Sequence, residues 1–251
     1  AADSLFRGLV ENLPLEEWLG RVWIAEKAIL TPETTYLGSI LGLAENLLSG
    51  ATTVMDMFWY PEETANAAKK LGMRISTGGI FFDLPGIGGR CHEDYISEAH
   101  QFSQNHEADE NVIPAILPHG SYTVSPENLT DAKRIADEYG ILFCTHAAET
   151  KAEQNDIKTR YNNSVIRHLN EHKLLGENVV LAHCVHLDEK EISLIAKSKT
   201  NVVLNPMSNL KLGSGIAPVK EMKRAGINLT IGTDGAISGN DLDMWLAMRL
   251  T

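Results

Sequence analysis

Short apolar runs alternate with longer amphipathic segments along almost the whole chain. The runs that read as strands are Thr52–Met57, Met73–Phe82, Val112–Leu117, Ile141–Thr145, Val179–His183, Asn201–Asn205 and Asn228–Gly232. Each is brief and either β-branched or apolar. Between them, Thr35–Ser49, Pro61–Leu71, His92–His106, Pro126–Tyr139, Asn163–Leu174, Asp188–Lys197 and Val219–Ala225 carry helical patterns. "SPENL" from Ser125 and "LDEKEI" from Leu187 look like helix starts, with a capping residue or acids in the first turn. Gly72, Gly140 and Gly226 stand where glycine closes a helix. This alternation predicts βαβ units and a parallel sheet. Seven strands are one short of the eight that close a (β/α) barrel, whereas a doubly wound sheet can stop at any number. The count alone leaves both open.

The totals narrow the class. A chain of 251 residues can bury one large core, as a single α/β barrel or as two small domains. No repeat, low-complexity stretch or linker divides it, so residues 1–251 are read as one domain. Its 22 Lys and Arg against 33 Asp and Glu give a net charge of −11, which argues against nucleic acid or an anionic membrane as partner. A small uncharged or zwitterionic substrate is unaffected by that balance. Cys91, Cys144 and Cys184 are far apart and form no C-x-x-C, so they read as reduced thiols of a cytoplasmic protein. No window approaches the roughly 20 apolar residues of a spanning helix, and no signal peptide is recognisable. The chain opens "AADSLFRGLVENLP", without a methionine or a lead-in, a first hint of sequence ahead of Ala1.

Candidate chemistry lies at the carboxyl ends of the strands. The third ends in His119, the fourth in His146 and Glu149, the fifth in His183 and His186. The sixth runs into Ser208 and Asn209, and the seventh into Asp234. Singly, each has an ordinary structural reading: a satisfied histidine, a solvated loop acid, a proline-driven turn, or an aspartate capping the next helix. Jointly they put polar groups at the same end of five successive strands, and in a barrel those ends share one mouth. Imidazoles with a carboxylate and no thiolate suit one divalent metal, Zn²⁺ or Fe²⁺, in a hydrolytic site that acidifies a water. Glu149 can then carry a proton to a leaving nitrogen.

The motifs "LFRGLVENLPLEEWL", "PHGSYTVSPE", "THAAET", "LAHCVHL", "NPMSNLKLGSGIAPV" and "GTDGAISGNDLDM" resemble the amidohydrolase superfamily over essentially the whole chain. The nearest branch holds the 5-methylthioadenosine/S-adenosylhomocysteine deaminases and related aminohydrolases and chlorohydrolases of nitrogen heterocycles. The resemblance implies a distorted (β/α)₈ barrel with a small β-sandwich built from both termini. It implies His146 and Asp234 as metal ligands, with His183 polarising the attacking hydroxide near the metal. It also implies Asp234 as general base, Glu149 as proton shuttle and His186 as structural. Trp18 would pack on the purine or thioether, Glu26 would grip the ribose hydroxyls, and Arg90 would meet a substrate carboxylate. His119, with Ser208 and Asn209, would complete the substrate contacts.

Two departures qualify those expectations. The family's H-x-H metal pair would fall just before Ala1, so strand one and the sandwich are expected to be missing, and the seven strands are barrel strands two to eight. A second arginine expected near the end of the third barrel strand is replaced by Gly78 and Gly79, which weakens the case for a carboxylated substrate. The implied activity is deamination of an adenine-type nucleoside. The alternatives are an aminohydrolase or chlorohydrolase of guanine, cytosine or a triazine, and a non-catalytic homologue or inactive fragment; the protein is expected to be a homo-oligomer or a monomer.

Overall fold

The computed structural model describes residues 1–84 and 86–251. A short 3-10 helix, Ala2–Phe6, leads into α1 (Leu15–Ile29) and α2 (Pro32–Leu48). Then follow β1 (Thr53–Met55), α3 (Pro61–Leu71), β2 (Arg74–Phe81), α4 (His92–Asn105), β3 (Val112–Pro118) and α5 (Pro126–Tyr139). Next come β4 (Leu142–Ala147), α6 (Lys151–Tyr161), α7 (Val165–Glu171), β5 (Val179–His183), α8 (Glu189–Ser198) and β6 (Asn201–Leu204). The chain finishes with α9 (Pro206–Lys211), α10 (Val219–Arg224), β7 (Leu229–Ile231), α11 (Ala236–Gly239) and α12 (Met244–Leu250).

All seven strands form one sheet in sequential order, and every pairing is parallel. A doubly wound sheet reverses its order at a switch point. This one never reverses, so the winding is that of a barrel. β1 and β7 each pair on one side only among the described residues, yet residues of both line one central cavity. The sheet is therefore a curled, open barrel of the amidohydrolase type, with its helices outside. Phe81, Ile116, Phe143 and Leu181 are fully buried within it. No described helix is long and apolar enough to cross a membrane.

Local signals explain most boundaries. Ser125 and Asp188 cap α5 and α8 through their side chains, and Gly72 and Gly140 close α3 and α5 in the left-handed conformation. Two long helices lie outside the expected elements. In α1 the buried Leu15, Trp18, Leu19, Val22 and Glu26 follow helical spacing, but a glutamate occupies one buried position. In α6 only Glu153 and Ile157 are buried, so no apolar stripe marks it. "NPMSN", read as a turn, opens α9 instead. Pro206 takes its first turn, where the missing N–H costs nothing.

Candidate active site

Parallel neighbours lie about 4.8 Å apart, so side chains at the carboxyl ends of successive strands come within stacking range even one step out of register, as His146 pairs with Ala182 and bridges Gly120. The register pairs Phe81 with Pro118 and Ala147 with His183, and the His146 amide bonds to the His119 carbonyl at 3.1 Å. A continuous belt of rings results. Trp59 stacks on Phe82 at 5.0 Å, Phe82 meets His119 at 4.8 Å, His119 meets His146 at 4.8 Å, and His146 stacks on His183 at 5.3 Å. Trp23 of α1 closes edge-on against Phe82 and His119. The belt borders a cavity of about 1030 Å³.

Each of the three belt histidines is tied at Nδ1. His119 donates to Thr123 Oγ1 at 2.9 Å, His146 to the His119 carbonyl, and His183 to Asn209 Oδ1 at 2.8 Å. With Nδ1 carrying the proton, every Nε2 keeps its lone pair. Burial holds the His119 imidazole well below its ordinary value, and His146 and His183 add to that. Burial lowers His146 as well, reinforced by His183 and opposed by Glu149 and Asp234.

Two carboxyls face these rings and behave oppositely. Burial pushes Glu149 up to about 7, with His146 pulling down and Asp234 pushing up. Its Oε1 accepts from Ser214 Oγ at 3.3 Å and its Oε2 lies 3.7 Å from His183 Nε2. Burial would raise Asp234 too, but His183 and His146, helped by Ser208 and Ser238, hold it below its ordinary value. One acid is poised to exchange a proton near neutrality and the other stays ionised. Ala148, His183, Cys184 and Asp234 all have positive φ, between 49° and 74°. Such strained non-glycine backbone persists where the surroundings over-determine it. His146 and Glu149 stand on either side of the Ala148 kink before α6 begins.

The donors fit a divalent cation in type: Nε2 atoms of His146 and His183, left free by the hydrogen bonds at Nδ1, and the ionised Asp234. Their Nδ1 anchors are the outer hydrogen bonds that orient metal-binding imidazoles. Among the described residues no three His, Cys, Asp or Glu side chains converge closely enough to hold an ion by themselves.

The other expected site residues divide. Trp18, Glu26 and His119 line the cavity. Glu26, also pushed up to about 7 by burial, accepts from Trp59 Nε1 at 3.0 Å. Asn209 acts through His183, and Ser208 is buried beside Asp234. His186 donates to the Ser214 carbonyl at 2.8 Å and stands outside the cavity lining. Arg90 stands outside the cavity lining. Its Nε binds Glu98 at 2.7 Å, it donates to the Ile87 carbonyl, and it lies over the Tyr60 ring at 5.3 Å. Gly78 and Gly79 leave no room for an arginine. A Cβ on Gly78 would fall 2.2 Å from the Ala115 carbonyl oxygen, and one on Gly79 2.5 Å from the Ala99 Cβ. Sequence reasoning missed Trp23, Trp59 and Phe82, which lie outside the motifs it singled out, and passed over Tyr122 and Ser214 inside two of them. A tryptophan five residues after Trp18 was the one available signal.

Fold and site together define the class: a (β/α)-barrel chain with a hydrolase-type cluster at the carboxyl ends of its strands. The chain belongs to the amidohydrolase family, whose family model matches residues 1–251. It is 41% identical over 242 residues to a 5-methylthioadenosine/S-adenosylhomocysteine deaminase of Aquifex aeolicus, covering 96% of this chain and 56% of that protein. It is 39% identical over 243 residues to a 5'-deoxyadenosine deaminase of Methanopyrus kandleri, with the same shares of 96% and 56%. A crystal structure of an adenosine deaminase from Xanthomonas campestris, with bound zinc, superposes with a TM-score of 0.96 at 33% identity, over 99% of this chain and 57% of that one. The chain thus spans little more than half the length of these relatives.

Proposed function

We propose that the protein deaminates a neutral adenine-type nucleoside by hydrolysis. The observation that carries this reading is the meeting of His119, His146, His183, Glu149 and Asp234 beside an aromatic wall in which Trp59 stacks on Phe82 and Trp23 stands edge-on against Phe82. The names of the two curated relatives support it. His146, His183 and Asp234 would hold a divalent metal, zinc first and Fe²⁺ as the alternative, and the zinc in the Xanthomonas structure supports that choice. When bound, such an ion lowers the pKa of a water toward neutrality.

The chain's own groups supply the rest. The wall binds the flat ring and keeps water from its faces. Asp234, held ionised, accepts a proton from the attacking water, and Glu149 delivers a proton to the departing amine. His183 and His119 present fixed lone pairs toward the same space. Glu26 is placed to receive sugar hydroxyls. No Lys or Arg lines the cavity among the described residues, and Glu26, Glu149 and Asp234 do. That balance favours a neutral 5' substituent, such as methylthio or hydrogen, over the charged amino-acid tail of S-adenosylhomocysteine. We read residues 1–251 as a single barrel domain acting in the cytoplasm on small molecules rather than nucleic acid, as its net charge of −11 supports.

The test uses the full-length protein and measures its metal content. Adenosine, 5'-methylthioadenosine, 5'-deoxyadenosine, S-adenosylhomocysteine, guanine and cytosine are screened for ammonia release. Glu149→Gln is expected to lose about 10²-fold or more in kcat with metal retained. Normal turnover in that variant overturns the assignment. The neutral nucleosides are expected to exceed S-adenosylhomocysteine in kcat/KM by about tenfold or more, roughly the ~1.4 kcal/mol of one lost charged contact, with Arg90→Ala leaving the ratio unchanged.

A further inference from the structure

Glu153 is a buried acid beside the site for which the reaction above has no use. It is 4% exposed, and its Oε2 accepts the backbone N–H of Glu149 at 2.7 Å. Its own amide is capped by Thr150 Oγ1 at 3.0 Å. A glutamate in this third helical position ordinarily reaches back to the amide of the capping residue itself. α8 does so: Glu191 donates its amide to Asp188 Oδ1 at 2.9 Å, and Glu191 Oε2 takes the Asp188 amide at 2.8 Å. Glu153 passes over Thr150 and takes the amide one residue earlier. That residue is the one whose side chain faces His183.

The peptide unit concerned joins Ala148 to Glu149. Its carbonyl accepts from the amides of Val185 and His186, both at 2.9 Å, and its N–H is held by Glu153. Both polar atoms of one peptide plane are therefore fixed from opposite sides. Ala148, just before the plane, has φ 54°, a conformation unfavourable by about 1–2 kcal/mol for a residue with a Cβ. Free of its anchors, the plane would relax toward ordinary backbone and swing the Glu149 Cα–Cβ bond with it. The other carboxyl oxygen of Glu153, Oε1, is buried with no hydrogen-bond partner among the described residues. An acid needed only as a helix cap is served as well at an exposed position, without that cost.

We propose that Glu153 is a positioning residue: by clamping the Ala148–Glu149 peptide plane it holds the Glu149 carboxyl against His183 and Ser214. This rests on the reading of Glu149 as the proton carrier.

The test compares Glu153→Gln and Glu153→Met in the full-length, metal-loaded protein, with Glu191→Ala and Glu149→Gln alongside. Glutamine keeps an acceptor oxygen for the Glu149 amide, whereas methionine fills the same space and accepts nothing. Glu153→Met is expected to lose about 10- to 100-fold in kcat with KM within about twofold, the scale of a misplaced catalytic group. Glu153→Gln is expected to stay within about threefold of the parent. Glu191→Ala should lower the melting temperature and leave kcat alone. A Glu153→Met variant with parental kcat, or a glutamine variant no better than methionine, overturns the proposal. Normal turnover in Glu149→Gln overturns the deaminase reading itself and the role of Glu153 with it; an inert Glu149→Gln beside a fully active Glu153→Met overturns only the latter.

Discussion

Glu26 enters the cavity wall from α1 at 6% exposure, with one hydrogen bond, from Trp59 Nε1 at 3.0 Å. Glu26→Gln keeps that acceptor and its shape and removes only the ionisation. Burial pushes this carboxyl up from 4.5 to about 7; the Trp59 hydrogen bond opposes the rise and Asp3 adds to it. A carboxyl whose value is raised on folding binds its proton more tightly in the folded state. Stability is therefore greatest below about pH 4.5, falls as pH rises toward 7, and levels off above it. At ~1.4 kcal/mol per tenfold change in proton affinity, the loss reaches about 3 kcal/mol at about pH 8 and stays under about 1 kcal/mol at about pH 5. Glu26→Gln should recover that difference, appearing in urea titrations as a higher midpoint at about pH 8, little change at about pH 5, and an unaltered slope. Equal gains at both pH values, or a loss at the higher one, would refute the reasoning.

Two further changes probe the strands and the belt. Gly78→Ala places a Cβ 2.2 Å from the Ala115 carbonyl oxygen, so β2 and β3 must part. A loss of about 1–3 kcal/mol by thermal melting is expected, and an unchanged melting temperature would contradict it. Asn209→Leu removes the acceptor that holds the His183 Nδ1 proton at 2.8 Å. The fold should persist, kcat should drop about 10- to 100-fold, and the ring nitrogen shifts of His183 should show a mixture of tautomers. A single Nδ1–H tautomer in the variant would show that Asn209 does not set it.

How much was legible follows from the kind of signal each feature leaves. β5 appears at its expected bounds, Val179–His183, because a central strand carries an unbroken apolar run up to its terminal histidine. β1 and β7 are shorter than expected, three residues each, because the outer strands pair on one side only. α6 escaped because it touches the core through Ile157 and little else, leaving no periodic stripe. His119, His146, Glu149, His183 and Asp234 could be singled out because strand-end position is a property of the sequence. Arg90 stands away from the cavity lining because a salt bridge to Glu98, eight residues on, decides where its head group goes.

From sequence alone came the parallel βαβ winding, the family resemblance, and the residue types able to bind a cation and move a proton. Those depend on local periodicity and on which atoms a side chain carries. The strand–helix alternation left barrel and doubly wound sheet open; the family resemblance implied the barrel, and the sequential strand order bears it out, since that order is a matter of pairing between distant segments. Tertiary structure alone assembled the ring belt, because stacking at about 5 Å exists only once strand pairing brings Phe82, His119, His146 and His183 together at the carboxyl ends of neighbouring strands. It alone separated two carboxyls with near-equal intrinsic acidity, raising Glu149 and lowering Asp234. Burial and neighbouring charge set that difference, and neither is written in the residues themselves.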